Sequence, residues 1–171
     1  MKAQRQTTCA DLVDEHAASR FADLAAMIAM CEHGLVDGGD WLRADMRERV
    51  EALADAGQEV SLMAARRDEY PLACGNLYDY ALSFDYVAGY SDYNEGEGYW
   101  RYQISWGGPS DEVRFYGRPG HLGRAEYWYM DWFDGAHLEL TGEYRRIAQW
   151  LFDWFDEAGT LESTRAEAEE E

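Results

Sequence analysis

The large apolar residues of this chain change their spacing from helical to strand-like, and near the C-terminus back again. From Val13 through Ala17, Phe21, Leu24 and Ile28 to Cys31 they recur at every third or fourth position, whereas from Leu77 onward they recur at every second. The first spacing stacks side chains on one face of a helix, and the second lines one face of a strand. Thr8 stands where an N-cap belongs, with Asp11 three residues on, and Gly34 follows as a stop, so a helix is expected between them. The turn Asp37-Gly38-Gly39-Asp40 then leads into a second helix, capped by Asp40, with Leu42, Met46, Val50 and Leu53 on one face. Gly57 interrupts it, and Val60, Met63 and Ala64 resume helical spacing as far as about Arg67.

Tyr70-Pro71 marks the change of regime, because the residue before proline is pushed out of helical space. Tyr78, Tyr80, Leu82, Phe84 and Tyr86 alternate with small or acidic residues. Trp100, Tyr102, Ile104 and Trp106 do the same, then Val113 and Phe115, then Trp128, Met130 and Trp132. The connections are the acidic loop from Gly89 to Gly98, the turn Gly107-Gly108-Pro109-Ser110-Asp111 and the turn Gly117 to Gly123. After a turn at Asp134-Gly135, Thr141 caps a last helix whose stripe is Tyr144, Ile147, Ala148, Leu151, Trp154, Phe155 and Ala158, with Gly159 as its stop. The pattern predicts one α+β domain over residues 1–160: two N-terminal helices, a four-stranded antiparallel β-meander, and a C-terminal helix packed on one face of the sheet. Residues 161–171, ending Glu169-Glu170-Glu171, are expected to form a frayed acidic tail.

At 171 residues with 47% hydrophobic residues the chain is long and apolar enough for a sizeable core, and 15% aromatic content excludes wholesale disorder. Charge changes the picture further. Lys+Arg number 15 against Asp+Glu 34, a formal net charge of −19, and Lys2 is the sole lysine. Such a chain repels nucleic acid and anionic membranes and is drawn to basic proteins, at a salt-sensitive rate. Solubility alone is the plain alternative. Cys9, Cys31 and Cys74 form neither a CxxC nor an even set, which points to a reducing compartment. Lys2 and Arg5 precede no apolar run of the signal-peptide kind, and Phe21 to Cys31, which carries Asp23, falls short of the ~20 apolar residues a bilayer span needs. A cytoplasmic location is the expectation.

Carboxylates cluster in the second half of the chain. No lysine or arginine occurs from Asp68 to Trp100, nor from Ala125 to Tyr144. Asp79, Asp85, Asp92, Glu95, Glu97, Glu126, Asp131 and Asp134, interleaved with Tyr127 and Tyr129, are therefore the candidate partner-binding residues. Duplex DNA carries one charge per roughly 1.7 Å of axis, and a protein that arrays carboxylates at similar spacing between aromatic rings imitates a polyanion toward a basic groove. A solvated face around an aromatic core is the competing account. Tyr127 to Asp134 also reads as a central strand buried on both faces.

Other chemistry is weakly signalled. Asp92, Glu95 and Glu97 lie in a loop that does not match the calcium-loop pattern. His121 and His137 are able to approach Glu126 or Asp131 in a fold, but no metal-ligand spacing is present. Ser105 to Ser110 lacks a nucleophile elbow and reads as a hairpin turn. Neither a catalytic residue nor a cofactor is expected.

Two stretches carry a resemblance. Tyr99-Trp100-Arg101-Tyr102-Gln103-Ile104-Ser105-Trp106-Gly107-Gly108-Pro109-Ser110-Asp111-Glu112-Val113-Arg114-Phe115-Tyr116, followed by Glu126-Tyr127-Trp128-Tyr129-Met130-Asp131-Trp132-Phe133-Asp134-Gly135-Ala136, resembles a class of small acidic proteins carried on bacterial plasmids and other mobile elements. It covers the sheet, under half of the chain, and carries no catalytic motif. The resemblance implies an anti-CRISPR or anti-restriction role, with inhibition of a nucleic-acid-binding defence complex by a DNA-mimicking surface and no direct binding to nucleic acid. The alternatives are an immunity protein or antitoxin that neutralises a basic nuclease, and a metal-dependent enzyme. The abundance of aromatic residues also leaves a homodimer open.

Overall fold

A computed structural model describes residues 7–32, 77–90 and 96–170. The second predicted helix, and with it Asp37 to Arg67, lies outside the described residues, as do Asp92 and Glu95. The chain divides into two compact units, Ala18–Tyr80 on the one hand and Met1–Ala17 with Ala81–Glu171 on the other.

Helix α1 spans Cys9–Glu32. Val13, Ala17, Phe21, Leu24 and Ile28 are buried along it, as their spacing predicts, and Cys9 is buried as well. Its first turn is closed by Asp11, whose Oδ2 accepts from the Thr8 backbone N–H at 3.0 Å and from the Thr8 hydroxyl at 2.8 Å. This is the acidic half of a capping box. A short helix, α2, covers Leu77–Tyr80, where alternation predicts strand. The reason lies in the three-residue step from Leu77, which is buried, to Tyr80, which is mostly buried: both fall on one side of a helical turn. Tyr80 donates its hydroxyl to Asp23 Oδ2 at 2.9 Å. Burial, reinforced by the Asp23 charge, pushes the Tyr80 phenol well above its ordinary range.

The second unit is α+β, built on a five-stranded antiparallel sheet in the order β1-β2-β3-β4-β5. The strands are β1 Ser83–Val87, β2 Tyr99–Ser105, β3 Ser110–Arg118, β4 His121–Asp131 and β5 Asp134–Glu139. The pattern predicts four strands. The fifth was hidden because Gly135 reads as a turn residue and Trp132-Phe133 as strand. The chain instead turns at Trp132-Phe133, with Asp131 opposite Asp134, and Gly135 lies in β5.

Register decides what each face carries. Trp100 pairs with Phe115, Phe115 with Ala125, and Val113 with both Tyr102 and Tyr127. These residues share one face and are all buried. Helix α3, Gly142–Glu157, packs on this face. Phe152 meets Trp100 edge-on at 5.8 Å and Phe115 at 5.9 Å, while Phe155 stacks on Phe84 at 3.8 Å. Thr141 occupies the N-cap position of α3 without a side-chain cap bond, and Gly159, at φ 73°, ends the helical run.

The expected tail is helical as far as Glu170. Helix α4 spans Thr160–Glu170, and Leu161 is fully buried. The buried Trp100 indole donates to the Leu161 carbonyl at 3.0 Å. Sequence composition shows the acids of this segment but not the single apolar anchor that holds it. Removing residues 160–171 should therefore destabilise the protein, since it uncovers a leucine's contacts and leaves a buried indole N–H unsatisfied. The expected loss in urea unfolding is about 2–5 kcal/mol. Removal of residues 166–171, beyond the anchor, should change stability by under about 0.5 kcal/mol.

Candidate functional site

The two faces of the sheet do different work. On the face opposite α3, carboxylates and arginines alternate with aromatic rings. Arg101 grips Asp85 with two bonds, Nε to Oδ1 at 3.0 Å and Nη2 to Oδ2 at 2.9 Å. Arg114 Nε donates to Glu112 Oε1 at 2.6 Å, and its guanidinium lies 4.0 Å from the Trp128 ring and 4.6 Å from that of Tyr99. Arg124 bridges Glu97 at 2.7 Å and Glu126 at 3.2 Å and sits 3.6 Å over Tyr116. Glu126 Oε2 also accepts from the Trp128 indole at 2.9 Å and the Tyr116 hydroxyl at 3.1 Å. Burial opposes its ionisation, but the donors Trp128, Arg124 and Tyr116, with the Arg124 charge, outweigh that and hold the carboxyl below its ordinary pKa.

The predicted partner-binding residues are thus dispersed. Asp85, Glu97 and Glu126 are each ion-paired to an arginine on or beside this face. Tyr127 and Tyr129 are buried on the other face: Tyr127 donates to Asp111 Oδ2 at 2.7 Å, and Tyr129 stacks on His16 at 4.1 Å. Asp79 is exposed on α2. His137 stacks on Trp128 at 4.3 Å, and His121 is exposed at the start of β4. Among the described residues no three His, Cys, Asp or Glu side chains gather as a metal site would require, and no helix is long and apolar enough to cross a membrane.

Asp131 and Asp134 come together at one end of the sheet, beside features that alternation did not reveal. They flank the two-residue turn between β4 and β5, whose central residues are both aromatic and both exposed, Trp132 at 86% and Phe133 fully. Trp132 has φ 50°. Positive φ at the first central position alone is the II′ pattern, a place normally held by glycine. A bulky residue there stores about 1–3 kcal/mol of backbone strain. The Trp132 indole leans over the neighbouring β2–β3 loop: a Cβ added at Gly108 would stand 2.9 Å from Trp132 Nε1 and 3.2 Å from Asp131 Oδ1. That loop presents a third exposed ring, Trp106 at 75%.

The N-terminus of α1 completes this tip. Asp134 Oδ2 accepts from the Cys9 backbone N–H at 2.7 Å, satisfying a first-turn donor of the helix. Cys9 Sγ in turn lies 3.5 Å from the Asp134 carbonyl oxygen, and burial together with Asp134 pushes the thiol up, away from thiolate chemistry. Between helix and hairpin lies an open cleft of about 420 Å³, walled by Leu12, Tyr129, Trp132 and Phe133 and edged by Asp131 and Asp134. Alternation placed Trp132 in the core; the visible clue to its true position was an aspartate on each side of an aromatic pair.

Comparison with protein-family models, with curated proteins and with solved structures finds no match.

Two measurements follow from this geometry. Trp132→Gly removes an exposed ring and relieves a positive-φ strain, so unfolding stability should stay level or rise by about 1 kcal/mol. A drop of more than about 1 kcal/mol would show that the ring supports the fold instead. Glu126 has a folded pKa below its unfolded value near 4.3. The stability it contributes is present above that unfolded value and is lost as pH falls through the folded pKa. Glu126→Gln should cost about 1–2 kcal/mol at pH 7 and flatten the decline in stability below about pH 4.5.

Proposed function

We propose that this chain is an acidic binding protein that engages a cationic protein surface through the aromatic end of its sheet. The observation that carries the reading is the Asp131-Trp132-Phe133-Asp134 turn, two exposed rings set between carboxylates, one of them on a strained backbone. Exposed aromatic rings beside acids are chemistry suited to an arginine-rich surface, and aromatic and arginine residues dominate the energetics of protein interfaces. The formal charge of −19 supports fast, salt-sensitive encounter with such a partner.

The partner class is a nucleic-acid-binding protein or complex, such as the bacterial defence assemblies that anti-CRISPR and anti-restriction proteins block. Support for polyanion imitation comes from the C-terminal helices rather than from the sheet, where arginines neutralise Asp85, Glu97, Glu112 and Glu126. On α3 and α4, Glu157, Glu162, Glu167 and Glu170 are exposed and have no arginine partner among the described residues. In this reading the aromatic tip anchors the complex and the helical acids steer it.

The test is affinity capture from bacterial lysate at low salt, with wild type beside a Trp106→Ser, Trp132→Gly, Phe133→Ser variant. Wild type should retain a basic protein that the variant loses and that added salt releases, and the partner's own nucleic acid should compete for it. Equal capture by the variant would overturn the role of the tip. Simultaneous binding of nucleic acid and this chain would overturn the imitation of a polyanion. A toxin encoded beside this chain, recovered in place of a host complex, would identify an immunity protein.

A further inference from the structure

The cleft at the tip has a more specific chemistry than general attraction to a basic surface. We infer that it is a receptor for a single guanidinium group, the side chain of one arginine presented by the partner. This inference rests on the tip being the binding surface and adds the group that it binds.

Three observations converge. The cleft offers aromatic surface from Tyr129, Trp132 and Phe133 together with the carboxylates of Asp131 and Asp134, and no lysine, arginine or histidine is among the described residues that line it. Ring faces and carboxylates together favour a planar cation, which stacks and hydrogen-bonds at once.

The same protein shows the filled version of this motif twice. On the opposite face of the sheet Arg114 lies between Trp128 and Tyr99 while bonded to Glu112. Arg124 lies over Tyr116 while bonded to Glu97 and Glu126. In both cases ring, guanidinium and acid form one stack. The tip supplies ring and acid, and no described residue places a guanidinium there.

An anion is the obvious competitor, because the N-terminus of α1 borders the cleft and helix N-termini attract negative charge. Two of its first-turn donors are already engaged, the Cys9 N–H by Asp134 and the Asp11 N–H by the Thr8 carbonyl. Asp11 in turn takes the Thr8 N–H. These two carboxylates offset the positive end of the helix, and an anion would still face Asp131. The cleft volume of about 420 Å³ exceeds that of one guanidinium, which fits an open site that receives a side chain together with part of the backbone carrying it.

The test uses the full chain, ¹⁵N-labelled and titrated with N-acetyl-argininamide, and with the neutral isostere N-acetyl-citrullinamide as comparison. The arginine probe should move the amides of Thr8, Cys9 and Asp134 and the Trp132 indole along one saturating curve, and the citrulline probe should not. Asp131→Asn should weaken the arginine response about tenfold while leaving the rest of the spectrum in place. N-acetyl-lysinamide should bind more weakly than the arginine probe. Equal shifts from arginine and citrulline probes, equal response to the lysine probe, or no saturating shift at the tip would each overturn the guanidinium assignment. Capture of a partner that depends on Trp132, with no response to the arginine probe, would overturn this inference alone. A saturating arginine response with tip-independent capture would instead overturn the proposed docking mode.

Discussion

The pairing of β3 with β4 fixes more of this molecule than any other interaction. Val113 stands opposite Tyr127 and Glu112 opposite Trp128. That single register sends Tyr127 and Tyr129 to the side of Trp100, Phe115 and Phe152, where they are buried. It sends Trp128 and Glu126 to the side of Arg114 and Arg124. Slippage by one residue would exchange these sets and bury charged groups against α3, which is why the register is strongly specified. The turn at Trp132-Phe133 follows from the neighbouring β4–β5 pairing, because Asp131 must meet Asp134 if Tyr129 is to meet Ala136.

The distribution of charge follows from the sheet as well. Asp85, Glu112 and Glu126 are carried by strands whose outward face also carries Arg101, Arg114 and Arg124, and packing against aromatic rings brings each acid to a guanidinium. Partial burial favours that outcome, since a carboxylate removed from water needs a charged or hydrogen-bonding partner. Much of the surplus of negative charge falls on surfaces where water screens it, the Asp131-Asp134 end of the sheet and the outer sides of α3 and α4 among them. A strongly acidic sequence thus yields a sheet face on which acids are matched to arginines, and net charge alone is a poor guide to where a partner would dock.

Spacing made much of the fold legible. The buried stripe of α1, the inward rings of β2 and β3, and Ile147, Ala148 and Leu151 of α3 follow from periodicity, because burial on one face is the physical cause of those periods, whereas the buried Phe152 fell outside the expected stripe and Ala158 within it is exposed. Where both alternating sets are large, as in Tyr127-Trp128-Tyr129-Met130, period two does not reveal the inward set, and only the partner strand decides. The same ambiguity hid β5 and the true turn. The pairing of acids with arginines was invisible for a different reason: Arg124 reaches Glu97 across 27 positions of sequence, and no local pattern encodes that contact. At the candidate site, Asp131 and Asp134 were legible from composition, whereas Trp106, Trp132 and Phe133 were assigned to strands or turns by residue type.

The tip is the place where this consistency breaks. Apart from Tyr90, which is also exposed and has φ 54°, the large rings described elsewhere are mostly buried or stacked within the protein. Trp132 and Phe133 expose apolar surface to water, and Trp132 does so on a backbone that a glycine would relax. Neither ring gives the fold much burial in return, and Asp131-Trp132-Phe133-Asp134 occupies a hairpin position where asparagine and glycine are the easy choices. Local rules that fail without a structural gain mark sites held for another purpose. Here the departure is chemically coherent: the rings stand beside carboxylates, and Asp134 and Asp11 bring negative charge to the helix end beside them. Such a surface has little to offer an anion or a purely apolar ligand. It has both components needed to hold a planar cation, in the combination that the opposite face of the same sheet uses for its own arginines.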